Sequence, residues 1–135
     1  MRILATMLAT SLSLVAQGPI KWEHDLATAQ QRARKEGKPL FVDIWAEWCP
    51  PCQHLKNTVF PSMDAQEALA AYVPVSLMTE TRDRRPLLEN IKIAERFNVE
   101  GYPTLLILDG QGREFKRHVG AFSAGSDLKA WLKRK

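Results

Sequence analysis

Cysteine is nearly absent: two in 135 residues, Cys49 and Cys52, with two residues between them. A secreted domain stapled by disulfides carries several pairs. A bridge across so short a loop would stabilise the fold very little through chain entropy. Stapling therefore explains the pair poorly, and reactivity explains it better. A structural zinc site needs four soft ligands, and no third cysteine exists to supply one. Histidine is scarce too: His24, His54 and His118. His54 would give only three ligands on one short helix with the two thiols. Metal binding thus ranks below redox chemistry, and copper held by the two thiolates is the metal reading that stays open.

Other absences narrow the class further. The basic residues that give the net charge of +4 are scattered or lie in short clusters, Arg82 to Arg85 and Lys133 to Lys135, without interleaved aromatics. They read as solvated surface charge, which removes nucleic acid as a partner. There is no internal repeat and no low-complexity stretch. Ile3 to Val15 is apolar or small and carries no charge, but is too short to span a bilayer. Behind Met1-Arg2 it reads as a secretory signal peptide over residues 1–18, cut after Ala16 or Gly18, with an uncleaved anchor as the alternative. No cysteine stands near it for a lipoprotein anchor. A periplasmic or otherwise exported protein is expected, with residues 19–135 as its one domain. Apolar and charged contents of 45% and 25% are ordinary for a globular chain.

The periodicity of the remainder places the elements. Ile20 to Trp22 is expected as a short first strand. Asp25 is expected to cap a helix from Leu26 to Glu36, ended by Gly37. Leu40 to Trp45 is a buried strand, and a helix follows from Pro50 to Val59. Asp64 to Glu67 resembles a capping box for a segment running to Tyr72. Val73 to Thr79 is a second core strand, Glu80 to Arg85 a charged loop, and Pro86 the first turn of a helix to Phe97. Thr104 to Leu108 and Arg113 to Val119 form a hairpin about Asp109-Gly110-Gln111-Gly112. Ser126 is expected to cap a last helix with Leu128, Trp131 and Leu132 inward. This order implies an α/β fold, a central mixed sheet with helices on both faces.

The chemistry concentrates where the buried strand gives way to the helix, at Trp45-Ala46-Glu47-Trp48-Cys49-Pro50-Pro51-Cys52. Free N–H groups and the positive end of a helix stabilise a thiolate at its start. Cys49 is therefore expected to be the exposed attacking thiol, and Cys52, one turn on and more buried, the resolving one. Pro50 and Pro51 have no N–H to offer the thiolate, and no histidine lies between the cysteines. The disulfide should be favoured accordingly, with a potential nearer roughly −270 mV than roughly −120 mV. Asp43 stands in an otherwise apolar strand, where burial should raise its pKa.

The segment from Trp45 to Cys52 resembles the active site of the thioredoxin superfamily. The likeness continues through Gly101-Tyr102-Pro103-Thr104 and Val119-Gly120-Ala121-Phe122, and covers nearly everything after Lys38. Leu108 to Glu114 is similar to the C-terminal domain of DsbD-type reductases. The resemblance implies the thioredoxin fold and thiol:disulfide exchange, with no cofactor beyond the dithiol. It implies that Asp43 takes the proton of Cys52 through water, and that Pro103 is a cis-proline facing the cysteines, exposing the backbone of Tyr102 to a substrate strand. The lysine that thioredoxins place near this acid is missing from Val75-Ser76-Leu77-Met78. Trp48, Tyr102, Gly120 and Ala121 are expected to form an apolar rim around Cys49. The expected partners are protein disulfides and a membrane or soluble thiol electron donor, and a monomer is expected. The competing readings are a non-catalytic binding module or copper-thiol chaperone, and an oxidase or isomerase.

Overall fold

A computed structural model describes residues 19–135. The expected signal peptide lies outside these residues. Four strands make one sheet in the order β2-β1-β3-β4, formed by β1 (Leu40–Ala46), β2 (Val73–Glu80), β3 (Thr104–Leu108) and β4 (Glu114–Val119). β1 runs parallel to β2 and antiparallel to β3, and β3 runs antiparallel to β4, so the sheet is mixed. β1 is central and buried along its whole length, as its run of apolar residues requires.

Alternation along the strands divides the core. Leu40, Val42 and Ile44 join Val73, Val75 and Leu77 on one face, under α1 (Leu26–Glu36) and Ala94 of α4 (Leu88–Arg96). Phe41, Leu105 and Ile107 face the other way, under the helix that follows β1, α3 (Met63–Leu69) and α5 (Gly125–Lys133). That helix begins as α2 (Pro50–His54) and continues as a π-helical turn, Leu55–Val59, that sets Leu55 and Val59 into this second core.

Caps fix most of the boundaries. The Asp25 carboxylate accepts from the Thr28 N–H at 2.8 Å, and Gly37, at φ 65°, closes α1 with its N–H on Ala33 O. Four expectations are corrected. The first strand shrinks to a single bridge: Glu23, not Ile20 to Trp22, donates to Pro74 O and accepts from Ser76 N–H. Ser62, whose hydroxyl takes the Ala65 N–H, caps α3 in place of Asp64. Pro86 pairs with Glu80 ahead of α4 and is not in its first turn. The last helix starts one residue before Ser126, with Asp127 reaching back to the Ala124 N–H.

Candidate active site

The turn after β1 is held from both sides. Glu47 N–H donates to Glu80 O at 2.9 Å, and Cys49 N–H donates to Ala46 O at 3.2 Å. Cys49 therefore arrives at the cap position of α2, with extended backbone. Pro50 and Pro51 fill the first helical positions without an N–H, leaving Cys52 N–H as the donor to Cys49 Sγ, at 3.4 Å. Cys49 and Cys52 are joined as a disulfide with their Cα atoms 5.2 Å apart. Cys49 Sγ also lies 3.6 Å from Tyr102 O. The Tyr102–Pro103 bond is cis, and Gly120 N–H donates to Pro103 O at 2.8 Å, which ties the segment after β4 to the same corner.

Cys49 is not the exposed thiol that its position suggested. It is 3% exposed and Cys52 is 1% exposed. The reason is packing: the pair lies in one apolar cluster with Trp45 and Ala46, and Trp48, Met78 and Tyr102 pack against that cluster. Trp48 is itself clamped. Its Nε1–H donates to Glu80 Oε2 at 2.7 Å, the Arg84 guanidinium sits 4.3 Å from its ring centroid, and Tyr102 meets it edge-on at 6.3 Å. Of the expected rim, Trp48 and Tyr102 pack against the cluster that holds the cysteines. Gly120 touches the site through Pro103, and Ala121 belongs to the core under α5 instead.

Asp43 sits opposite Ser76 in the sheet, 5% exposed, with Oδ1 lacking any hydrogen-bond partner. Burial pushes its pKa up to about 8. It lines a cavity of about 630 Å³ at the β2 edge, together with Trp45, Ser76, Met78, His24 and Lys56. Two sequence features open this space. A serine stands where a longer side chain would fill it, and the first strand that would cover the edge is one bridge long. Trp45 borders the cavity with its Nε1–H on Ser76 Oγ at 2.8 Å, and Lys56 lies over its ring.

Two of the histidines have partners away from the cysteines, and the third, His24, lines the cavity with Asp43. His54 Nε2 lies 3.0 Å from Ser123 O, and His118 stacks on Phe122 at 4.0 Å. Among the described residues no three His, Cys, Asp or Glu side chains converge as a metal site. Sequence reasoning missed Glu80, Arg84, Met78 and Lys56. Only Met78 left a signal: it lies two residues beyond Ser76 on β2 and so shares its face.

The arrangement has counterparts. The thioredoxin-like domain family matches residues 26–135. The thiol:disulfide interchange protein DsbD of Escherichia coli strain K12 is 32% identical over 85 residues, which are 63% of this chain and 14% of that protein. The chain thus spans a small part of the curated relatives it matches. Among solved structures, a DsbH oxidoreductase superposes with TM-score 0.69 at 18% identity, covering 97% of this chain and 96% of that one. A thioredoxin from Thermus thermophilus superposes with TM-score 0.67 at 23% identity over 86% of each chain. The oxidised C-terminal domain of Neisseria meningitidis DsbD gives TM-score 0.65 at 18% identity, covering 84% of this chain and 97% of that domain. With the family matching from the start of α1 to the last residue, the fold is the thioredoxin fold and the chain belongs to the thioredoxin-like domain family.

Proposed function

We propose that this chain is a thiol:disulfide oxidoreductase of the cell envelope that reduces disulfides in exported proteins. One observation carries the reading: its only two cysteines close on each other at the start of a helix, linking no distant parts of the chain. In the reduced form the Cys49 thiolate attacks one sulfur of a substrate disulfide, making a mixed disulfide and expelling a substrate thiolate. Cys52 then attacks Cys49 Sγ. The Cys49–Cys52 bond forms, the mixed disulfide breaks, and the second substrate thiolate leaves, so the substrate gains the two electrons that the dithiol loses.

Asp43 serves as the acceptor of the Cys52 proton. With its pKa near 8 it exchanges protons readily around neutral pH, and its cavity is wide enough to admit the water that would carry them. Trp48, Tyr102, Pro103 and Gly120 form the docking side, where the Tyr102 backbone pairs with an extended substrate segment. Because Trp48 and Tyr102 cover Cys49, docking must displace part of this cover. The Pro50-Pro51 pair leaves the Cys52 N–H as the cap donor to the sulfur, which supports a potential nearer roughly −270 mV than roughly −120 mV. Similarity to DsbD supports export and a separate thiol donor that restores the dithiol.

Insulin reduction driven by dithiothreitol tests the reading. The protein should accelerate precipitation of the insulin B chain well beyond dithiothreitol alone, and Cys49→Ser should remove the acceleration. An unaccelerated rate for the unaltered protein would defeat the proposal in favour of a binding module.

A further inference from the structure

The loop between β2 and α4 looks in sequence like ordinary surface charge. In the fold it stands against the active site. Residues 81–85 carry three arginines and one aspartate, and all three arginine side chains are exposed. Arg84 adopts a left-handed backbone, φ 62°, which is uncommon for a residue with a Cβ, and its guanidinium lies on Trp48, the immediate neighbour of Cys49. Among the described residues, none of the three guanidiniums is engaged by a carboxylate.

The nearby acids are turned to other work. Glu80 is bonded to the Trp48 indole, and Glu47 Oε2 accepts the Arg82 N–H at 2.9 Å. Asp83 is drawn back onto the loop by the Thr81 hydroxyl and also feels the charge of Arg85, without a direct ion pair. These acids match the three arginines in number, but their oxygens are held by other donors, while the arginine side chains stay exposed and Arg84 reaches the aromatic side on which a substrate must dock.

We infer that Arg82, Arg84 and Arg85 form a docking surface for polypeptide substrates whose disulfide is flanked by acidic residues. The inference rests on the oxidoreductase reading and adds to it the substrate class. Guanidiniums pair with carboxylates in a bidentate way, so an acidic residue beside the substrate disulfide gains charge-assisted hydrogen bonds here that a neutral or basic one does not. Arg84 has a second role as a specificity residue, because a carboxylate that draws it off Trp48 loosens the cover over Cys49.

The test uses synthetic peptides of one length, each closed by a single disulfide flanked by aspartates, asparagines or lysines, with bis(2-hydroxyethyl) disulfide as a neutral control. At low salt, kcat/KM for the aspartate peptide should exceed that for the lysine peptide by about ten-fold or more, mainly through KM. The ratio should shrink toward one in ~0.5 M salt, where screening is nearly complete over a few ångströms. Replacing the three arginines with glutamine should abolish the ratio, and replacing them with lysine, which keeps the charge but not the guanidinium fork, should retain only part of it. Equal rates for the aspartate and lysine peptides with the unaltered protein would overturn the inference. So would a preference that survives the glutamine variant. Failure to reduce even bis(2-hydroxyethyl) disulfide would instead remove the oxidoreductase reading, and this inference with it.

Discussion

Asp43→Asn should make the oxidised protein more stable, and more so as the pH rises. In the folded protein the carboxyl is buried without a partner and titrates near 8, against 3.8 when unperturbed. Between these values the folded form keeps a proton that the unfolded form has lost, so stability falls as pH climbs through the window and levels off above about 8. At about 1.4 kcal/mol for each pH unit crossed, the full span is worth about 6 kcal/mol, an upper figure for a site that water can reach. Asparagine carries no proton to lose. Near pH 4 both variants bury a neutral polar group of one shape, and their stabilities should nearly coincide. By pH 8.5 the asparagine form should lead by a few kcal/mol, a large share of a typical domain's 5 to 15 kcal/mol. Urea unfolding of both forms at intervals from pH 4 to 9, with the disulfide intact so that neither cysteine titrates, measures the difference directly. A difference that stays constant across the range would mean that Asp43 ionises like an exposed carboxylate, and the proton-acceptor role would lose its basis.

Three further outcomes follow from the geometry. Cys52→Ser should accumulate mixed disulfides through Cys49, visible by mass spectrometry of proteins trapped in cells, whereas Cys49→Ser should trap none. Trp48→Ala should uncover Cys49, 3% exposed in the intact site. Alkylation of the reduced protein by iodoacetamide should then speed up several-fold while turnover of protein substrates drops. Gly125→Ala should destabilise the fold by about 1 to 3 kcal/mol, because a Cβ there would fall 1.8 Å from Ser62 Oγ, the cap of α3. A lower thermal midpoint with unchanged active-site chemistry is the expected reading.

Local signals carried most of the fold. The apolar run from Leu40, the Gly37 stop and the Asp109 to Gly112 turn each have a mechanism confined to a few residues, and the elements stand where those mechanisms put them. The misplaced boundaries are those that tertiary packing decides. Ser62 wins over Asp64 as a cap at the point where α5 presses Gly125 against it. Ile20 and Trp22 pack into the core under the active-site helix, which leaves Glu23 alone to pair with β2.

The site divides in the same way. As candidates, the cysteines, Asp43 and Pro103 stand out by residue type and spacing. The burial of Cys49 does not, since it comes from Trp48 held by Glu80 and Arg84, some thirty residues further along the chain. Nor does spacing alone reveal the cavity beside Asp43, which depends on a neighbouring strand offering serine and on an edge left open.

The central claim is that the pair carries electrons rather than bracing the fold, and a single-turnover exchange measures this. Fully reduced protein is mixed without oxygen with an equal amount of a protein disulfide substrate, quenched in acid at intervals, and analysed for thiols on both partners. The account predicts one Cys49–Cys52 disulfide gained for each substrate disulfide lost, by way of a transient species linked through Cys49. Retention of both thiols while the substrate stays oxidised would contradict it.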